Sequence, residues 1–300
     1  KKIGNGNEQV VYPTGSLQKI ITAAMVIQLM NEKWHTSERF TQNTKISRWF
    51  PNLKNADNIT VGELMTHTSG ITATGTETDR GSDSSEEEAI NWAINNANST
   101  DPGTSGTYSY NNTNYILLTG IIRKVSGQSY EENFNSRIIN KLGLTNTYLY
   151  QNIPSGKTDP ISYTWDNGNN YQDPQYVKRS LASQLPGTGN MFTTPMDYYK
   201  IQVGLTNGTI LSKSDFHYLT HLDSKVNDYS GGVHIENNDT IKSAYGNLTG
   251  THFGMWFEMT TDNRNGLIMF LNQTSGDEDA QKAMGLQILN HIRANTFTDD

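Results

Sequence analysis

The chain has 300 residues, a formal net charge of −7 from 23 Lys and Arg against 30 Asp and Glu, and no cysteine. That length can bury a core without staples, and the missing thiol removes disulfides, thiolate metal sites, iron–sulfur clusters and a cysteine nucleophile together. The acidic balance provides no basic field of the kind that holds nucleic acid or anionic lipid.

Only 18% of residues are charged, so the polarity comes mainly from neutral Asn, Thr, Ser and Gln. N-x-[ST] triplets, at Asn58, Asn98, Asn207 and Asn272 among others, occur about as often as this composition predicts by chance, so they carry no argument for glycosylation. No segment reaches the roughly 18 apolar residues that span a bilayer, and no basic-then-apolar leader is present. The chain opens at Lys1 without Met, from which upstream residues, including a signal or anchor, are expected.

In chain order, Gly4-Asn5-Gly6-Asn7 predicts a turn entering a short strand at Val10-Val11-Tyr12, ended by Pro13-Thr14-Gly15. Ser16 to about Lys33 is apolar on nearly every face with no internal Gly or Pro, the pattern of a helix buried mid-domain. Thr60, with Glu63 three residues on, predicts a helix N-terminus. Residues 71–88 read as an exposed loop running into a helix at 85–97. Helix patterns follow at about 114–126, stopped by Gly127, and 130–142, stopped by Gly143. Residues 150–185 are loop-rich, with Asp166-Asn167-Gly168 as a hairpin turn. Further helices are expected at 195–206 and 212–223. From 229 to 273 the period becomes that of strands: Val233/Ile235 and Met255/Phe257/Met259 alternate, Asn265-Gly266 forms a tight turn, and Leu267–Leu271 reads as a buried strand. A last helix is expected at 277–293.

This order predicts an α+β fold, an antiparallel sheet assembled from both ends of the chain and flanked by helices, with a helical insertion between them. The whole chain, 1–300, is read as one domain. An α/β subdomain covers about 1–45 and 205–300, and a helical, loop-rich one about 46–204.

Ser16-Leu17-Gln18-Lys19 is an S-x-x-K box. Roughly one such box is expected by accident in a chain of this composition, so its context matters more than the match. It opens a buried helix, where positions i and i+3 share a face, so the Lys amine can stand beside the Ser hydroxyl. A serine needs a neighbouring base, and a lysine becomes one only when a dry setting or a nearby cation lowers its pKa. The alternative is a helix-capping serine with a snorkelling lysine.

Together with that box, five further segments occur in a recognisable order. They are Thr60 to Gly70 (TVGELMTHTSG); Pro102-Gly103 followed by Tyr110-Asn111-Asn112 to Leu118; Ser126 to Tyr130 with Leu142 to Thr147; Gly187 to Asp197; and His252-Phe253-Gly254. In this series the chain resembles, over nearly its whole length, the serine penicillin-recognising enzymes, specifically the class C β-lactamase-like branch that also holds D,D-peptidases and esterases. The resemblance implies that Ser16 forms an acyl-enzyme, Lys19 assists its deprotonation and Tyr110 of the Y-x-N box shares the proton work as a phenolate steadied by Lys19. Asn112 is then expected to bond Lys19 or the substrate. His252 and Gly254 would form the third box beside the substrate, and the backbone N–H groups of Ser16 and Met255 the oxyanion hole. Neither metal nor cofactor is implied.

Third boxes of β-lactamases and D,D-peptidases offer a cation and a hydroxyl to a substrate carboxylate. Here Phe253 has no hydroxyl, which argues against penicillin hydrolysis and D-Ala-D-Ala trimming. A D-alanyl ester has no free carboxylate at that end but carries an ammonium. The expected activity is therefore a D-alanyl esterase acting on (lipo)teichoic acid; the alternatives are a D,D-carboxypeptidase acting on peptidoglycan stem peptides, or a non-hydrolytic surface sensor. The expected partner is that cell-envelope polymer, not nucleic acid, with the membrane reached only through an anchor outside this chain. A monomer on the outer face of a Gram-positive cell is the expected setting. Only 15 residues precede Ser16, where the branch has a helix and a strand hairpin.

His217 and His221 have the i, i+4 spacing of paired zinc ligands without the H-E-x-x-H glutamate, and read as a solvated helix face. His67 reads as structural, bonding backbone at a helix end. Tyr108, Tyr163, Trp165, Tyr171 and Tyr176 fall in loops that the resemblance places around the cleft, where they either stack on a glycerol or sugar or simply pack. Glu86-Glu87-Glu88 suits a helix N-terminus.

Overall fold

A computed structural model describes residues 10–155, 157, 160–275 and 277–295. The turn expected at Gly4–Asn7 lies outside them.

Strand β1 (Tyr12–Pro13) leads through a 3₁₀ turn at Gly15–Gln18 into α1 (Lys19–Lys33). The helix therefore starts three residues later than its apolar pattern suggested. Gly15, at φ +52°, turns the chain there, and Ser16 sits on the tighter turn rather than on the α-helix. As expected, α1 is apolar all round, with Ile20 to Ile27 essentially inaccessible to solvent. The short α2 (Val61–Met65) and α3 (Glu86–Asn98) both begin in reciprocal capping boxes, Thr60 with Glu63 and Ser85 with Glu88. Helix α4 (Asn112–Ser126) ends where Gly127 takes a left-handed conformation. The segment expected as one helix at 130–142 is α5 (Tyr130–Phe134), a π turn at Asn135–Ile139, and α6 (Asn140–Leu142).

Next come β2 (Tyr148–Leu149), the hairpin β3 (Ile161–Asp166) and β4 (Asn169–Tyr176), α7 (Arg179–Ser183), β5 (Met191–Thr193), α8 (Pro195–Gly204) and α9 (Lys213–Thr220). The hairpin turns at the expected Asp166-Asn167-Gly168, but its arms occupy much of a region read as loop.

The C-terminal part holds β6 (Tyr229–Ser230), β7 (Val233–Glu236), β8 (Ile241–Gly246), β9 (Gly254–Thr260), β10 (Gly266–Leu271) and α10 (Glu278–Ala294). These five strands form one antiparallel meander in the order β10-β9-β8-β7-β6. Strand β1 is not part of it. It pairs with β5 in a separate three-stranded sheet, β1-β5-β2, because Pro13 ends it after two residues and withholds an N–H from further pairing. The sheet expected from both chain ends is thus, among the described residues, built from one end.

Met255, Phe257 and Met259 of β9 join a buried apolar cluster that reaches from Tyr12 to the side chains of α1, α4, α8 and α9. Helix α10 covers the opposite face: a Cβ on Gly285 would meet the Trp256 indole nitrogen at 2.4 Å. Every residue of β10 is half-buried rather than buried, because it is the edge strand of that sheet. No helix among the described residues is long and apolar enough to cross a membrane.

Candidate active site

Three pieces of chain meet at Ser16. The first is its own turn: a Cβ on Gly15 would stand 2.5 Å from the Asn247 carbonyl oxygen, so only glycine permits this approach. The second is the N-terminus of α4, where the Asn111 side chain accepts from the Thr113 N–H (2.9 Å) and donates to the carbonyl of Ala73 (2.8 Å). That cap fixes Tyr110 and Asn112 on either side of it. The third is the end of β8, Tyr245-Gly246-Asn247, whose Gly246 lies against the Thr14 carbonyl and the Ser16 amide.

Lys19, the first residue of α1, is fully buried. Its Nζ donates to Ser16 Oγ at 2.9 Å and to Asn112 Oδ1 at 2.8 Å. Tyr110 donates its hydroxyl to Ser16 Oγ at 2.5 Å, with its ring centroid 4.8 Å from the Lys19 amine. Burial lowers the Lys19 pKa from 10.5 to about 7 and the charge of Glu77 opposes the fall, so near neutrality much of the amine is free to accept a proton. Desolvation of the hydroxyl end raises Tyr110 above the usual phenol value, although 44% of the residue stays exposed. Tyr110 is thus a neutral phenol at pH 7, a proton donor rather than the phenolate base expected from sequence.

His67 is buried with φ +56°. Its Nδ1 accepts from the Asn111 N–H (3.2 Å) and its Nε2 lies 3.2 Å from the Tyr229 hydroxyl, so the ring is neutral with its proton on Nε2. Burial and the Lys19 charge hold its pKa well below 6.5. Its ring lies 4.3 Å from that of Tyr110, and it supports Tyr110 without bonding Ser16.

Ser16 lines two cavities. One, of about 470 Å³, carries the carboxyl groups of Asp228, Glu236 and Glu278 with Tyr108, His234 and Lys282. Two pairs are internal to it, His234 Nδ1 to Asp228 Oδ1 at 2.9 Å and Lys282 Nζ to Glu278 Oε1 at 2.5 Å. The other, of about 400 Å³, is bounded by the loop 73–78, including Glu77, by Tyr110 and Asn112, and by Asn247 and Thr249. The Thr249 hydroxyl donates to Glu77 across it at 3.0 Å.

Ser16, Lys19, Tyr110 and Asn112 therefore come together, whereas His252, Gly254 and Met255 line neither cavity. His252 Nε2 is 2.8 Å from Asp173 of the hairpin and its backbone N–H donates to Ser162 Oγ (2.9 Å). Gly254 faces α10, where a Cβ would meet the Gln281 amide at 2.3 Å. Met255 is paired on one side with Gly246 and on the other with Phe270, one strand removed from Ser16. The strand passing the serine is β8. Its Tyr245-Gly246-Asn247 has neither the leading cation nor the closing glycine that mark a third box, whereas His252-Phe253-Gly254 has both and lies one strand away. Glu77 was also missed, since a single carboxylate in a loop has no sequence signature.

The stacked rings of His217 and His221 lie 3.9 Å apart, with His221 Nε2 3.0 Å from Asp239. Among the described residues no group of three or more His, Asp or Glu is placed to hold a metal.

A family model described as Beta-lactamase matches residues 6–289. A teichoic acid D-alanine hydrolase of Staphylococcus aureus is 25% identical over 267 residues, covering 88% of this chain and 62% of the relative. The chain thus spans less than two thirds of that relative's length. Among solved structures, FmtA from Staphylococcus aureus superposes with a TM-score of 0.73 at 22% identity, over 94% of this chain and 74% of that one. A D-stereospecific amidohydrolase from Streptomyces gives 0.72 at 22% over 92% and 85%, and D-amino acid amidase from Ochrobactrum anthropi 0.74 at 17% over 96% and 86%. These likenesses establish the fold.

Proposed function

Because the chain belongs to the Beta-lactamase family, we propose that it is a serine hydrolase whose nucleophile is Ser16 and whose substrate is a D-alanyl ester of a teichoic acid at the bacterial cell envelope. The observation that carries this reading is the bonding of one hydroxyl, Ser16 Oγ, by both a buried lysine and a phenol.

Neutral Lys19 takes the Ser16 proton as Oγ attacks the ester carbonyl, with Asn112 holding the amine. The Ser16 N–H and a backbone N–H at the end of β8 receive the oxyanion, in place of the Met255 donor expected from sequence. The carbonyl carbon–alkoxide bond breaks, and Tyr110 passes the proton from Lys19 to the departing polyol oxygen. Water enters by the reverse route and releases free D-alanine and Ser16.

The ester reading draws on charge. Glu77 stands on one side of Ser16, and the other cavity sets three carboxyl groups against one lysine and one histidine, two of the three already paired with them; the remaining excess of carboxylate favours an acyl group bearing an ammonium. Lys282, which lines the larger cavity, is already paired with Glu278, and among the described residues that line it a substrate carboxylate would find no other lysine or arginine beside Tyr245-Gly246-Asn247. The relative named for D-alanine hydrolysis from teichoic acid supports the same choice. The site would then work outside the cell membrane.

The test is D-alanine release from D-alanylated teichoic acid beside release from a D-Ala-D-Ala peptide, with S16A as control. Release from the polymer that S16A abolishes supports the proposal, and trimming of the peptide alone sinks it. Stable acylation of Ser16 without turnover would point to a sensor instead.

A further inference from the structure

A third cavity, of about 620 Å³, opens beside the nucleophile. Tyr245 and Asn247, which also line the Ser16 cavities, form one wall, and Trp165 of the hairpin forms another. The remaining lining is rich in hydroxyls and amides, with Thr164, Thr249, Thr251 and Gln273 prominent, and among the described residues it contains no Asp, Glu, Lys or Arg. Its one ionisable imidazole, His252, is engaged by Asp173.

Trp165 is 62% exposed. Its place in the lining of this cavity, between Thr164 and the neutral polar groups, leaves exposed indole surface that an occupant of the cavity would cover. The wall is also fixed. The Tyr163 N–H donates to the Asn272 carbonyl (2.7 Å), the His252 N–H to Ser162 Oγ (2.9 Å), and the Tyr171 N–H to Gln273 Oε1 (2.8 Å). The hairpin that carries Trp165 is thereby tied at three points to the chain just before β9 and just after β10.

A flat apolar ring facing a rim of neutral donors and acceptors matches a pyranose, which presents one C–H face and an equatorial belt of hydroxyls. The same lining offers nothing to a phosphate, which would call for unpaired cations. Resting on the esterase reading for its substrate, we infer that this cavity is a subsite for a neutral pyranosyl unit of the polymer, stacked on Trp165. Polymer selectivity would then be read from the sugar substituents rather than from the phosphates.

The experiment compares the full chain with W165A and W165F on three substrates: D-alanylated polyglycerol phosphate with glycosyl substituents, the same polymer without them, and D-alanine methyl ester. W165A is expected to raise KM about five- to tenfold on the glycosylated polymer alone, the size of one lost stacking contact, with W165F milder and the small ester unaffected. Methyl glucoside should inhibit hydrolysis of the glycosylated polymer. Equal effects of W165A on both polymers, no effect on either, or competition by inorganic phosphate in place of methyl glucoside would overturn the subsite. If the wild-type chain releases no D-alanine from any substrate, the esterase reading fails separately. Methyl glucoside titration then decides the subsite through a tryptophan fluorescence change that is present in wild type and lost in W165A, and its absence in wild type refutes the subsite.

Discussion

Gly15 and Asn247 approach so closely that a Cβ on the glycine would stand 2.5 Å from the asparagine's carbonyl oxygen. This contact joins the turn that carries the nucleophile to the end of β8, and Gly15 also holds φ at +52°, where a side chain is strained. G15A should displace Ser16 from its partners. The expected loss in kcat/KM on a D-alanyl ester is on the order of 10²-fold, well beyond the accompanying fall in the urea midpoint. A variant with full kcat/KM would show that this approach does not position Ser16.

Lys19 sets the pH dependence. Its pKa is lowered to about 7, and catalysis needs the neutral amine, so kcat/KM should rise through pH 7 and level off above it. K19R, which cannot deprotonate, should lose roughly 10²–10⁴-fold at every accessible pH. A flat profile in the wild type would exclude the amine as base.

Glu77 offers two readouts in one variant. Its charge raises the Lys19 pKa, so E77Q should shift the acid limb of the profile to lower pH. If the carboxylate also meets the substrate ammonium, E77Q should raise KM for a D-alanyl ester by about five- to tenfold while sparing an acetyl ester of the same alcohol. An unmoved limb with unchanged selectivity would remove Glu77 from the site.

Tyr110 donates to Ser16 and is 44% exposed, and phenylalanine keeps its ring against His67, so Y110F should fold normally. The expected loss is about 10²-fold in kcat with little change in KM, measured on the small ester.

Lys242 is a second buried lysine, on β8, whose Nζ has no hydrogen-bond partner among the described residues and stands 5.1 Å from the centroid of the Phe216 ring. Burial lowers its pKa to about 7, against a weaker opposing pull from Asp262. Between the folded value near 7 and the unfolded value near 10.5 the unfolded chain binds the extra proton, so this group's contribution to stability rises with pH across that window. Below pH 7 the folded state carries a buried, unpaired charge. K242M should raise stability by on the order of 1–3 kcal/mol at pH 6 and by less at pH 10, read from urea melts. Equal melts for both proteins at pH 6 would contradict that cost.

Much of this arrangement was legible because it is local. The capping pair Thr60/Glu63, the acidic first turn of α3 at Glu86-Glu87-Glu88, the stop at Gly127, the Asn167-Gly168 turn and the alternation in β9 each write their geometry within a few residues. The same holds for Ser16 and Lys19, three residues apart on one turn. What the sequence hid depends on which strand lies next to which. The serine's neighbour is β8 and not β9, a fact set by the meander order and by the glycine pair Gly15 and Gly246. Strand β10 reads as buried from its run of apolar side chains, yet edge placement leaves it half-exposed.

The site's three pieces are far apart along the chain: Tyr110 lies 94 residues from Ser16, and Asn247 belongs to a strand formed after most of the chain has been made. Helix α1 can form from local contacts as soon as it emerges, but the nucleophile's turn cannot be held in place until β8 docks on it. Hydrolytic competence should therefore appear late in folding. In refolding, the helical circular-dichroism signal should recover before esterase activity, so a nascent or partly folded chain would carry its serine unarmed.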